Sequence, residues 1–382
     1  MSAKSGSLRH VVAAFLVSAV ACVLAACVAP LRADLVPAPG YQAQLIASGT
    51  VVWPAQEYNP ATDTWLGIDT TGFDYITEAT RGGTMRVIAD TFGLGGLGFD
   101  QLAVASGNLA WVTEGHARSV YTLVPATLGA TKTLLLNAPG DRNEPWWAEY
   151  AAAEADANGD LIVGFGPQPY SGSPTDGYTD WYRVTQAGGV SALFTTTGHN
   201  LRWLRRDSAT GTFYGIDVYD PTNSGPAWEW YVNERLPRLV TLDTVTGAVT
   251  TIRQYAGLTL LDIEMDRTRR LVPSDVLWAV RDDTAIVPLD PATGEIGAPL
   301  ATATEGWGIG GLTLAPSSAN PSASSLYAEV VGGSTFRVVE LAPVPEPSTL
   351  GLLAAGAVGL LALACRGRCG RIALDKTGKD EG

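Results

Sequence analysis

A nine-residue stretch that recurs without a gap constrains this chain more than any other feature. Leu239-Val240-Thr241-Leu242-Asp243-Thr244-Val245-Thr246-Gly247 aligns with Ile286-Val287-Pro288-Leu289-Asp290-Pro291-Ala292-Thr293-Gly294 at an offset of 47. Asp207-Ser208-Ala209-Thr210-Gly211 repeats the second half, and Asn59-Pro60-Ala61-Thr62-Asp63 is a degenerate copy. The pattern has a physical reading. An apolar run forms a strand, the Asp carboxylate accepts from backbone amides of a turn, and Gly takes the positive φ that releases the next strand. Each copy therefore predicts a hairpin, placed on the outer side of its repeat.

Short runs rich in β-branched and aromatic residues recur around these turns. They include Trp65-Leu66-Gly67-Ile68, Asn108-Leu109-Ala110-Trp111-Val112, Asp160-Leu161-Ile162-Val163-Gly164 and Thr212-Phe213-Tyr214-Gly215-Ile216. Val276-Leu277-Trp278-Ala279-Val280 and Ser325-Leu326-Tyr327-Ala328-Glu329-Val330 continue the series. Their starts lie 43 to 64 residues apart, a loose period near 50. Gly95-Gly96-Leu97-Gly98-Phe99 and Gly310-Gly311-Leu312-Thr313-Leu314 read as inner strands that enter with glycine.

Several short strands per repeat of this length predict an all-β fold, a single β-propeller of about six blades over 41–343. A pair of β-sandwiches is the alternative. Pairing of Gln42–Ile46 beside Phe336–Glu340 would close the ring and remove open edges. The one helix candidate is 147–157, on the strength of its alanines. The Trp-Asp dipeptide and kelch signatures are missing, so no named propeller family is indicated.

The two ends differ from this middle. Lys4 and Arg9 precede an apolar run from Val11 to Ala26 of 16 residues, short for a spanning helix and suited to an export signal over 1–27. It ends in Leu24-Ala25-Ala26-Cys27, which resembles the lipobox of bacterial lipoproteins and makes Cys27 a lipidation candidate. Cleavage by an ordinary signal peptidase is the other option, and 28–40 then reads as a linker.

At the far end Pro345-Glu346-Pro347 precedes an apolar stretch, 350–365, followed by Arg366, Arg368 and Arg371. This order closely resembles the PEP-CTERM sorting signal of Gram-negative bacteria, here over 344–371. The resemblance implies a transmembrane helix at 350–365 with the arginines on the cytoplasmic side, as in the positive-inside rule. It also implies an exosortase as processing partner, a short cytoplasmic tail at 372–382, and a final place at the cell surface or outside the cell. The stretch departs from a comfortable span, with 16 residues and three glycines.

Charge and cysteine usage bound the function. Between 28 and 344 there are 18 basic and 34 acidic residues, which excludes nucleic acid as a partner. Cys22, Cys27, Cys365 and Cys369 all lie in the terminal segments. The middle therefore has no disulfide, cysteine metal site or catalytic thiol. No His-Glu-x-x-His or Gly-x-Ser-x-Gly occurs, and the middle holds only His116 and His199.

What remains is aromatic and acidic. Asp156-Ala157-Asn158-Gly159-Asp160 alternates calcium-type ligands, but its glycine precedes the third one, which suits a tight turn better than an EF-hand loop. Asp282-Asp283 and Glu264-Met265-Asp266 supply carboxylate pairs of the kind glycosidases use. Trp146-Trp147 and Trp228-Glu229-Trp230 fall in turn-rich insertions, with Trp228 and Trp230 on one side of an extended segment. They serve either as packing between blades or as platforms on which sugar rings stack. The sequence thus predicts a non-enzymatic surface or matrix protein associated with exopolysaccharide. A polysaccharide hydrolase or lyase with acidic residues at the ring's mouth is the alternative.

Overall fold

The computed structural model describes 34–344 except 51–55, 70–74, 91–100, 106–107, 115–118, 127–128, 138–150, 166–177, 221, 223–233 and 334. These residues form β1 (Leu35–Pro37), β2 (Tyr41–Thr50), and then four strands for each of five blades. Blade 1 is β3 (Gln56–Asn59), β4 (Thr64–Asp69), β5 (Tyr75–Thr80) and β6 (Met85–Asp90). Blade 2 is β7 (Gln101–Ala105), β8 (Leu109–Glu114), β9 (Ser119–Ala126) and β10 (Gly129–Asn137). Blade 3 is β11 (Ala151–Ala155), β12 (Leu161–Phe165), β13 (Tyr178–Val184) and β14 (Val190–Thr197). Blade 4 is β15 (Leu201–Arg206), β16 (Phe213–Asp217), β17 (Arg238–Leu242) and β18 (Val249–Gln254). Blade 5 is β19 (Leu260–Asp266), β20 (Val276–Arg281), β21 (Ala285–Leu289) and β22 (Ala301–Ala303). β23 (Gly308–Pro316), β24 (Ser324–Gly332) and β25 (Thr335–Pro343) supply three strands of blade 6.

Every sheet is an antiparallel meander, and there are six. The first strands β3, β7, β11, β15, β19 and β23 touch one another in sequence, and β23 meets β3 again, so they line a closed ring. β2 lies outside β25 and completes blade 6, the closure expected from the sequence. A sandwich pair does not form. β1 adds a fifth strand to blade 5, so the stretch expected as a linker, 28–40, contains a piece of the propeller. Asp34 ion-pairs with Arg337 of blade 6, which ties this entry segment down.

The recurrent apolar runs of the sequence are β4, β8, β12, β16, β20 and β24, the second strand of each blade. Their burial is continuous, as in Leu161–Phe165 and Phe213–Asp217, because a blade is packed on both faces. Outer strands are wet, and Val190–Thr197 is exposed along most of its length.

The core is accordingly split into six clusters, one between each pair of neighbouring blades. Trp65, Trp111, Trp181 and Trp278 are fully buried in them. At roughly 1.5–3 kcal/mol for each large apolar side chain buried, these layers hold together the described residues, which contain no cysteine. Arg81 secures the joint between blades 1 and 6. It donates to Tyr327 Oη at 3.0 Å and to the Pro316 carbonyl at 2.8 Å, with its guanidinium 5.1 Å over Trp65.

Two expectations are corrected. No helix occurs among the described residues, and 151–155, inside the helix candidate, is the first strand of blade 3. Its alanines fit the narrow inner end of a blade, where tertiary packing overrides helix propensity. The Asp turns are also not confined to outer hairpins. Asp243–Gly247 joins β17 to β18 and Asp290–Gly294 follows β21, but Asp207–Gly211 joins the inner pair β15 and β16, as 60–63 joins β3 and β4. All of them lie on one rim, because inner and outer hairpins of a meander turn on the same side.

Candidate functional site

Strand direction divides the propeller into two unlike rims. At one, most hairpins are tight, those of blade 5 (267–275 and 290–300) being longer, and several are tied by carboxylates. Asp243 Oδ1 accepts from the amides of Val245 at 2.8 Å and Thr246 at 3.2 Å, and Asp290 does the same with Ala292 and Thr293. Asp207, fully buried, adds a bidentate ion pair with Arg267 of blade 5. These bonds hold the carboxyls of Asp207, Asp243 and Asp290 below the usual range. The stretch that suggested calcium belongs here. Asp156 Oδ1 accepts from Asn158 N at 2.7 Å and Asp160 N at 3.1 Å, while Arg183 pairs with both acids. Among the described residues no group of three or more His, Cys, Asp or Glu side chains is placed to hold a metal ion.

Among the described residues, Arg205 reaches across the central channel. Arg205 of β15 lies 2.6 Å from Glu57 of β3, on the blade directly opposite. It also lies 3.4 Å from Glu154 of β11, and 3.3 Å and 3.4 Å from Glu264 and Asp262 of β19. Burial is the main force on these carboxyls, and it outweighs the nearby guanidinium. Glu57 is raised to about 8 and Glu154 to about 7, with Glu264 and Asp262 also raised.

Two local devices aim the group. β15 and β19 each carry a bulge, at Trp203 (φ 49°) and Asp262 (φ 25°), so Arg205 and Glu264 both sit two residues past one. The bulged Asp262 then reaches the next blade and accepts from Leu312 N at 2.7 Å. Glu329, fully buried on β24, has neither carboxyl oxygen partnered and is pushed well up by burial and by Asp262.

The other rim is where β4, β8, β12, β16, β20 and β24 end and the inner strands begin. At blade 4 it carries His199, whose Nδ1 lies 2.7 Å from Asp217 Oδ2. Asp217 is fully buried and faces only donors. Arg238 Nη2 reaches Oδ2 at 2.7 Å, and the amides of Asn200 and Tyr219 reach Oδ1 at 2.9 and 3.0 Å. The His199 ring keeps 22% of its surface.

Of the acidic pairs read from the sequence, Glu264 enters the channel group, whereas Asp266 accepts from Trp278 Nε1 at 3.1 Å and Asp282 from Thr259 N at 2.8 Å. Glu57, Glu154, Arg205 and Asp262 carried no sequence signal. Trp146, Trp147, Trp228, Trp230, His116, Cys27, Pro345, Glu346, Pro347, Arg366, Arg368, Arg371 and the apolar stretch 350–365 lie outside the described residues.

Residues 343–368 match the model of the PEP-CTERM protein-sorting motif. The chain carries a PEP-CTERM sorting motif. Such a motif implies an exported protein that is first anchored in a membrane and then processed, with an exosortase as the processing partner. No curated protein matches this PEP-CTERM chain in sequence. Its fold is similar to that of a luciferin-regenerating enzyme, with 13% identity, TM-score 0.53, and 80% of this chain and 96% of that one covered. It is also similar to the PQQ-bound aldose sugar dehydrogenase of Streptomyces coelicolor, with 12% identity, TM-score 0.54, and 80% and 99% covered. A glucose dehydrogenase gives 12% identity, TM-score 0.54, and 78% and 99% covered. At these identities the likeness is one of fold, the propeller.

Proposed function

We propose that this is an exosortase-sorted surface or matrix protein whose propeller binds extracellular polysaccharide through one rim, without turning it over. The unlikeness of the two rims carries the reading. The turn rim spends its acidic groups on backbone amides and arginines, and Arg205 spans the channel. The described strand ends that bracket 138–150 and 218–237 lie on the opposite rim. Those two stretches hold Trp146, Trp147, Trp228 and Trp230. Aromatic side chains beside acids and amides suit sugar rings, which stack on flat apolar faces and donate hydroxyls at their edges.

The four channel carboxyls favour a second reading, a hydrolase or lyase, since acids raised toward neutrality serve as proton donors. Arg205 argues against it. A guanidinium in ion-pair contact with all four leaves no room for a glycosidic bond between two of them.

Titrating the full chain in detergent with its host's exopolysaccharide, while following tryptophan fluorescence, tests the choice. Saturable quenching that Trp228→Ala or Trp146→Ala abolishes, with no new reducing ends or unsaturated products, is the expected result. Product release lost in Glu154→Gln would make the protein an enzyme and end the binding reading.

A further inference from the structure

The geometry points to His199 as a hydroxyl-recognition site on that rim, with the imidazole Nε2 accepting a hydrogen bond from a ligand O–H. This inference rests on the carbohydrate-binding reading and adds to it a polar contact. The argument starts at Asp217, which is fully buried on the last position of β16. Its two oxygens receive a guanidinium N–H, two backbone amides and the imidazole, so it acts as an acceptor only. The hydrogen between Asp217 and His199 therefore sits on Nδ1. In its neutral form the imidazole has one N–H, and Nε2 then carries a lone pair.

The ring is also fixed in place. Asp217 anchors Nδ1, and the His199 carbonyl accepts from Thr179 Oγ1 of blade 3 at 3.2 Å. A buried aspartate that orients a histidine and sets its tautomer prepares Nε2 to take a hydrogen from whatever lies beyond it. The connection whose sequence holds Trp228 and Trp230 begins directly after Asp217. Hydroxyl groups in number are what polysaccharides present, whereas an ionised carboxylate or sulfate group by itself has no hydrogen to give Nε2.

The chain has only three histidines, His10, His116 and His199, which makes the claim directly observable. Full-length protein labelled with 15N in its imidazoles, assigned with His10→Gln and His116→Gln, is titrated with host exopolysaccharide and with methyl glycosides. The expected spectrum has His199 protonated at Nδ1 and bare at Nε2, with the Nε2 resonance moving on addition of sugar. His199→Leu should weaken the fluorescence titration about two- to tenfold, the worth of one hydrogen bond. His199→Gln, which keeps an acceptor oxygen, should recover part of it. Asp217→Asn should move the hydrogen to Nε2 and lose binding with the imidazole still present. Since that variant empties a buried ion pair, the two His199 variants keep the test decisive if it fails to fold.

A proton on Nε2 in the free protein, or an Nε2 resonance that stays still while tryptophan fluorescence reports bound sugar, overturns the inference and leaves the binding reading intact. A moving Nε2 with unaltered binding by the tryptophan variants supports His199 and removes the aromatic platform. Silence in both signals at saturating polysaccharide overturns both.

Discussion

Replacing Arg205 by Met should destabilise the propeller strongly at pH 8 and weakly at pH 5. Methionine keeps most of the apolar stem, so the change isolates the charge. Removing one partner of a buried ion pair costs about 3–5 kcal/mol, because the remaining charge is left in a poor dielectric. At pH 8 the carboxyls with pKa near 7 and 8, Glu154 and Glu57, are mostly or half ionised and would lose the guanidinium they share. At pH 5 both are already protonated in the parent protein, and the cost should fall to about 1 kcal/mol, the scale of ordinary hydrogen bonds.

The sign of the underlying linkage follows from those raised values. A carboxyl raised in the folded state adds stability that is complete below its ordinary value near 4.5, and loses it as pH climbs to 7–8. The parent should therefore soften over that window, and the variant more so. For a domain of this size about 1 kcal/mol corresponds to roughly 2 °C. A scan of intrinsic tryptophan fluorescence should then show a loss of about 6–10 °C at pH 8 and about 2 °C at pH 5. Equal losses at the two pH values, or a larger one at pH 5, would refute the picture of Arg205 as the charge that balances the channel.

Three further outcomes follow, two from the turn rim and one from the core between blades. Asp207→Asn should cost about 2–4 kcal/mol near neutrality, because it breaks the ion pair with Arg267 from its buried side. The carboxyl is held below its usual range, so this advantage is present above about 3.8 and fades as pH falls. Parent and variant melting curves should converge in acid. Gly247→Ala should cost more than Gly211→Ala, although both glycines have φ near 77°, because a Cβ at 247 would come within 2.7 Å of the Phe194 ring and one at 211 meets nothing. Trp181→Ala should cost about 3–5 kcal/mol by opening a cavity between blades 3 and 4, measured by denaturant titration.

The repeat made the propeller legible because each second strand is buried on both faces and is followed by turn chemistry. Asp243 and Asp290 announce their hairpins in any sequence context. The alanine-rich first strand of blade 3 was not legible. Ala151–Ala155 has the composition of a helix and becomes a strand only because five other inner strands form a ring beside it. The channel group was hidden for a related reason. Glu57, Glu154, Arg205 and Asp262 come from four different blades, and nothing local distinguishes Arg205 from the arginines on either side of it. Their meeting depends on register and on two bulges, which are properties of the assembled sheet. His199 was visible as a rare residue, but its partner lies 18 positions on, at the far end of a neighbouring strand.

The pairing of β2 with β25 has a consequence for how the chain matures. β2 leaves the export machinery early, yet the strand it needs is among the last of the propeller to be synthesised. Until then its edge stays open and the ring cannot lock, which makes closure a slow, long-range step. The sorting motif begins where β25 ends. The membrane-held stage that such a motif implies is thus a period in which both strands have been made and can find their register before release. Release before that pairing would set free a chain with two unpaired edges, able to join its neighbours edge to edge.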